Sequence, residues 1–165
     1  MDNTRSPPER QYMDDQKLDA PAEPGARLGF LLYRAGLAVS RGYERALAPL
    51  DTSPVEVGVL SALSYSGPQH VRGLARLLGI GRQSAVNVTK ALLARQEIER
   101  RSSEEDTRLV VYVVTALGRS RLDRCEGVVA QFDARLRSTV GELEERELVR
   151  QLGRIVNAPF LAHEE

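Results

Sequence analysis

The 165-residue sequence predicts a mainly α-helical fold carrying one small antiparallel β wing. Three observations carry that prediction. Apolar residues recur three or four apart over most of the chain between Gly25 and Ile155, the spacing of buried helix faces. Between Gln69 and Gly118 the pattern changes twice. HVRGLARLLGIGRQSAVNVTKALLARQ reads as a short helix, a glycine-bearing break and a second helix, and IERRSSEEDTRLVVYVVTALG then supplies two extended runs around a polar tip. Charge follows the same division. The chain has formal net charge zero, yet the residues from Gln69 to Gln96 include Arg72, Arg76, Arg82, Lys90 and Arg95 and no acid. This is the element order of a winged helix-turn-helix, with positive charge concentrated where the phosphates of duplex DNA would approach.

A chain of this length suits one domain, with roughly two thirds of its extended surface buried. Only 5% of residues are aromatic, so Leu, Val and Ala must fill most of the core. The N-terminus lacks a signal peptide's basic start and apolar centre, and no apolar run approaches the roughly 20 residues that span a bilayer, so the expected compartment is the cytoplasm. Cys125 is the only cysteine, which rules out an intrachain disulfide framework.

Residues 1–24 hold Pro7, Pro8, Pro21 and Pro24 and little apolar surface, the composition of a disordered arm. From Gly25 to about Ala48, Leu28, Leu32, Ala35, Val39, Tyr43 and Ala46 mark a helix that Pro49 ends. Ser53 and Glu56 form a capping box with Pro54 at the first helical position, so a second helix should run from Pro54 to before Gly67 and bury Val55, Val59, Leu60 and Leu63. A third helix is expected over about Val71 to Leu78 with Leu74, Ala75 and Leu78 inward. The fourth is expected over about Arg82 to Arg95, with Ala85, Val88 and Leu92 inward.

That fourth helix presents Arg82, Gln83, Ser84, Asn87 and Lys90 on a polar face. A major groove about 12 Å wide admits a helix, and its base edges match such side chains. The amides of Gln83 and Asn87 can each pair with adenine, Ser84 permits close approach, Arg82 is placed for a phosphate or a guanine, and Lys90 for a phosphate. Arg72 on the third helix adds to the basic surface. Ile98 to Arg101 and Leu109 to Val114 form the two expected strands around a tip from Ser102 to Thr107. Apolar residues on both faces of the second strand predict burial against more than one helix. Arg100, Arg101 and Arg108 flank the tip for phosphate or minor-groove contact, and Asp106 is placed to fix the loop or orient an arginine.

After Thr115, a helix N-cap, a long helix should run to about Val140 with a stripe of Leu122, Cys125, Val129, Phe132 and Leu136, and Leu148, Leu152 and Ile155 continue the pattern on a final helix. More apolar periodicity remains than the DNA module can cover. The terminal helices, 25–50 and 116–160, are therefore expected to form a homodimer interface, with 51–115 as the DNA-binding region and 161–165 as a tail. Two recognition helices would then enter major grooves roughly 34 Å apart.

These residues resemble the MarR family of transcriptional regulators. The resemblance covers about Leu28 to Val156 and is strongest in LARLLGIGRQSAVNVTKALL followed by IERRSSEEDTRLVVYVVTALG. Leu74 and Ala75 match the family's usual Leu-Ala. Asp106, Arg108, Thr115 and Gly118 match its wing pattern, with Val114 in place of a leucine. His70 stands where a Thr cap is usual, Gly81 where Ser is common, Gln96 where glycine is usual, and Asn87 where many relatives have Arg. The resemblance implies a homodimer that recognises an inverted repeat and represses transcription until a small ligand or an oxidant weakens binding. In relatives that answer to phenols or aromatic acids the ligand lies between the dimerisation helices and the DNA module. Tyr33, Arg34, Tyr43, Tyr65 and His70 fall near that region and offer rings, a cation and hydrogen bonds.

Other chemistries have weaker support in the residues. Peroxide-sensing relatives often use a cysteine near the first helix, where this chain has none; Cys125 instead sits in an apolar stripe. His70 and His163 are the only histidines, so no metal site is expected. The GIG of Gly79 to Gly81 lacks the third glycine and the preceding strand of a dinucleotide fold, and neither a cofactor nor catalysis is expected. The alternatives to a ligand-released repressor are a ligand-independent regulator and a winged helix that binds only protein.

Overall fold

The computed structural model describes residues 27–103 and 108–158. The expected arm at 1–24, the wing tip with Asp106, and the tail at 161–165 lie outside the described residues. The chain divides into two compact units, one up to Val39 and one from Ser40 onward. Helix α1 spans Leu28–Leu47, starting three residues later than Gly25, and a 3-10 turn, Ala48–Leu50, follows it. Pro49 sits inside that turn rather than ending the helix directly. In the first unit Leu28, Phe30, Leu31, Tyr33 and Leu37 are exposed, and the Arg34 guanidinium lies 5.9 Å from the centre of the Phe30 ring.

The second unit holds the core. Helix α2, Pro54–Tyr65, begins with both bonds of the capping box: the Ser53 hydroxyl accepts from the Glu56 amide, and the Glu56 carboxylate accepts from the Ser53 amide. Two orphan donors are thereby satisfied at the start of the helix. Helices α3, Val71–Leu78, and α4, Arg82–Ala94, follow. Gly79 takes the left-handed conformation (φ 62°) that lets α3 end and the chain turn into α4. Strands β1, Ile98–Ser102, and β2, Val110–Val114, pair antiparallel from Ile98 opposite Val114 to Ser102 opposite Val110. Helices α5, Ala116–Val140, and α6, Glu142–Val156, complete the described chain.

Val59, Leu60 and Leu63 of α2 pack with Leu74, Leu92, Ile98, Tyr112, Val114 and Leu122, so five further elements close on one helix. Val55 and Leu78 are only half-buried. The expectation that both faces of the second strand are covered holds only for its inner part: Val111, Tyr112 and Val114 are buried, whereas Val110 is exposed and Leu109 is exposed outside the strand. The outer wing projects beyond the helices that cover its base. Thr89 joins the inward face of α4 because its hydroxyl donates to the carbonyls of Ala85 and Val86 (2.9 and 3.0 Å), which satisfies it without a partner elsewhere. On α5, Leu122 and Cys125 are buried, while Val129, Phe132 and Leu136 are half-buried.

The end of α4 carries local strain. Gln96 has φ 59°, and the Gln96 and Glu97 amides donate to the carbonyls of Leu93 and Leu92 (2.9 and 3.0 Å), the reversed bonds of a Schellman motif. A side chain at a left-handed position costs roughly 1–2 kcal/mol. Gln96→Gly should therefore raise stability by about 1 kcal/mol in equilibrium denaturation. An unchanged or lowered midpoint would show that Gln96 carries no net penalty there.

Candidate nucleic-acid interface

Both helices of the α3–α4 pair begin without a side-chain cap. His70 and Gly81 occupy the N-cap positions of α3 and α4, and neither makes a side-chain capping bond. The first amides of α4 are thus left for another acceptor, and a helix N-terminus favours an anion. Along α4, Arg82, Gln83, Ser84, Asn87 and Lys90 are all exposed, while Ala85, Thr89 and Leu92 are buried on the other side. The inward set anchors the helix and leaves its polar row facing solvent. Gln83 Nε2 donates to Asn87 Oδ1 at 3.0 Å, one turn along that row. Arg72 is exposed on α3.

On the wing, β1 exposes Glu99, Arg100, Arg101 and Ser102. The Arg100 guanidinium lies 5.9 Å from the centre of the buried Tyr112 ring, and Arg101 Nε donates to Glu99 Oε1 at 2.8 Å. Arg108 is exposed at the far side of the tip. Gln69 exchanges two backbone bonds with Tyr112 (3.1 and 2.8 Å), so the segment leading into α3 is stitched to β2. That bridge holds the wing beside the helical pair and has no local sequence signal.

A second feature absent from sequence reasoning lies beneath the wing. Arg121 of α5, 11% exposed at its side chain, donates to Glu97 Oε1 (2.9 Å), to Thr52 Oγ1 (2.9 and 2.7 Å) and to the Asp51 carbonyl. Arg95, at the end of α4, bonds Glu97 and Glu56. Burial pushes the Glu56 carboxyl up, but its bonds from Arg95 and the Ser53 amide prevail and hold it below its ordinary value. The start of α2, the end of α4, the root of β1 and α5 meet in this one set of charges.

The aromatic residues considered for a ligand are distributed over both units. Tyr33 and Arg34 belong to the first, and Tyr43, Tyr65 and His70 to the second. Tyr43 donates to Asp133 and packs on Phe132 with ring centroids 4.2 Å apart. Burial and that carboxylate push its hydroxyl up to about 12. Tyr65, largely exposed, donates to Glu126 Oε1 at 3.0 Å. Cys125 is buried, and burial pushes its thiol up, so the reactive thiolate is disfavoured. Among the described residues no three His, Cys, Asp or Glu side chains are grouped to hold a metal, and no helix is long and apolar enough to cross a membrane.

A sequence model of the MarR family matches residues 50–109, from the 3-10 turn through α2, α3, α4 and β1 to the residue before β2. The HTH-type transcriptional repressor Rv2887 of Mycobacterium tuberculosis is 32% identical over 130 residues, covering 79% of this chain and 94% of the relative. The chain belongs to the MarR family. It is thus a winged helix-turn-helix DNA-binding transcriptional regulator rather than an enzyme. CouR, a transcriptional repressor solved bound to a 23-mer DNA duplex, superposes with a TM-score of 0.72 at 30% identity, over 79% of this chain and 93% of its own. CouR bound to p-coumaroyl-CoA gives the same TM-score at 27% identity, over 84% and 98% of the two chains. Bordetella bronchiseptica BpsR reaches a TM-score of 0.77 at 19% identity, over 84% and 99%, a likeness of fold.

Proposed function

We propose that this MarR-family chain is a homodimeric repressor that reads an inverted repeat with α4 and is released by a small phenolic or aromatic ligand. The observation that carries the reading is the exposed row Arg82, Gln83, Ser84, Asn87 and Lys90 on a helix without an acid. In this reading Gln83, Ser84 and Asn87 meet base edges, Arg82 a guanine or phosphate, and Arg72 and Lys90 phosphates. Arg100, Arg101 and Arg108 follow the backbone or minor groove beside the wing. The resemblance to CouR, solved on duplex DNA, supports this assignment.

The dimer reading rests on apolar side chains that a lone chain leaves in water: Leu28, Phe30, Leu31 and Leu37 on α1, and Leu148, Val149, Leu152 and Val156 on α6. Residues 25–50 and 116–160 would form the interface and 51–115 the DNA-binding region. A second copy removes apolar surface from solvent and pairs two readers with two half-sites.

The ligand reading draws on the tyrosines. Tyr43 and Tyr65 donate to carboxylates, Asp133 and Glu126, so a ligand hydroxyl that replaces either must itself donate. A phenol does so, whereas a carboxylate would be repelled there; Arg34 is the candidate cation for an acidic ligand. Tyr33 and His70 complete the candidate contacts. CouR, solved with p-coumaroyl-CoA, is a similar protein with such a ligand.

Selection of bound fragments from genomic DNA, followed by footprinting and sedimentation, tests the proposal. Two related half-sites protected by two chains are expected. A stable monomer protecting one asymmetric half-site, or no duplex preference, would overturn it. For the ligand, calorimetry with p-coumaric acid and p-coumaroyl-CoA, with and without operator, should show tighter binding to DNA-free protein, because only differential affinity shifts the equilibrium.

A further inference from the structure

We infer that Gln83 and Asn87 read DNA as one bonded pair whose amides turn over only together, rather than as two independent amides. The inference rests on the reading of α4 as the groove-facing helix. Both side chains are exposed, they stand one turn apart, and Gln83 Nε2 donates to Asn87 Oδ1 at 3.0 Å.

An isolated carboxamide can turn over and exchange its donor and acceptor ends, so alone it accepts several base edges. The bond removes that freedom. If either amide turned over alone, like ends would face each other and the bond would be lost, so the two can turn over only together. In the polarity observed, Asn87 turns its oxygen towards Gln83 and presents both Nδ2 hydrogens away from it. Gln83 keeps its whole carbonyl oxygen and one N–H for the groove.

Read from the start of α4, the row offers an acceptor at Gln83, a closed link, and donors at Asn87. The Gln83 oxygen fits an exocyclic amine, adenine N6 or cytosine N4. The Asn87 amide fits an acceptor on the neighbouring pair, guanine O6 or N7, adenine N7 or thymine O4. One residue orients the other, and specificity at two adjacent base pairs is a property of the link.

The experiment is a thermodynamic cycle read by base preference. Affinities of the full-length protein for its selected operator, and for every single substitution at the two contacted base pairs, would be measured for wild type, Gln83→Ala, Asn87→Ala and the double variant. Each single variant should relax preference at both base pairs by about tenfold, the size of one good bidentate contact, and the double should lose little more than either single. Gln83→Glu supplies the sharper outcome. A carboxylate cannot donate, so Asn87 must turn over to keep the link and then presents its oxygen. Where the operator carries guanine or thymine at its base pair, preference there should switch to the amine-bearing cytosine or adenine, whatever the new charge does to total affinity.

Losses confined to one base pair per variant, multiplying in the double, would overturn the pair while leaving α4 as the reader. Gln83→Glu with the wild-type preference for guanine or thymine retained at the Asn87 base pair would do the same. Unchanged discrimination in all four variants would overturn both the pair and the reading of α4. Because both residues lie in solvent, unchanged thermal midpoints are expected throughout.

Discussion

Gly118→Ala should destabilise the protein by about 3 kcal/mol or more, at or above the upper end of ordinary overpacking. Gly118 stands in the first turn of α5, where the Thr115 hydroxyl accepts from its amide at 3.1 Å. A Cβ there would lie 2.1 Å from the Glu97 carbonyl oxygen, 3.0 Å from the Glu97 carbonyl carbon and 2.9 Å from Val114 Cγ2. A flexible side-chain end can move aside, but this obstacle is mostly backbone. That backbone is itself held: the Thr115 amide donates to Glu97 O at 3.0 Å, and the Thr115 hydroxyl donates to Gln96 O at 2.8 Å. Accommodating one methyl would push α5 away from the root of the wing. Gly127→Ala is the control on the same helix, because nothing lies within 4 Å of its added carbon. There the gain in helix propensity should stabilise by up to about 1 kcal/mol. Denaturant unfolding of both variants decides the matter, and equal effects would show that contact with Glu97 is not the cause.

Arg121→Met should cost about 3 kcal/mol, the lower end of the range for breaking a buried ion pair. The substitution keeps most of the aliphatic stem but leaves Glu97, with a side chain 5% exposed, short of its closest cation. Arg95 remains at 3.3 Å from Glu97, which is why the upper end of the range is not expected. Thr52 Oγ1 and the Asp51 carbonyl lose their donor as well. Removing the acid together with the base should recover much of the loss, since the desolvation penalty of Glu97 disappears. Arg121→Met with Glu97→Leu is therefore expected to be more stable than Arg121→Met alone. A double variant that loses the sum of the two single effects would contradict that account. Acid should weaken the same cluster. Glu56 titrates below its ordinary value in the folded state, so its contribution is present above the unfolded carboxylate pKa and is lost as pH falls through the depressed folded one.

The elements legible in the sequence were those whose causes lie within one turn or one strand. Ser53, Pro54 and Glu56 set the start of α2 because cap, proline and carboxylate act across four consecutive residues. Val71–Leu78 matched the apolar spacing at both ends, and the alternation around VVYVV located the second strand to within one residue. Leu109 was misplaced there because alternation reports which residues can pair, not how far the helices beneath extend. The exposed row on α4 was equally legible, being the complement of Ala85 and Leu92 on a 3.6-residue period. Its spacing placed Gln83 and Asn87 together, but not which amide donates.

What the sequence by itself determined was the succession of elements, the placement of basic and amide side chains on α4, and membership of a family built on that succession. Tertiary structure alone decided how those elements are held. Arg121 meets Glu97 and Thr52 across 24 and 69 positions, Gln69 meets Tyr112 across the whole helical pair, and Gly118 is a glycine because the Glu97 backbone passes beside it. An arginine in a helix rich in charged residues carries no mark of the carboxylate it will face. Periodicity encodes which side of an element avoids water, a short-range property, whereas the choice of partner depends on the relative positions of elements that become neighbours only once the core of Val59, Leu60 and Leu63 has closed.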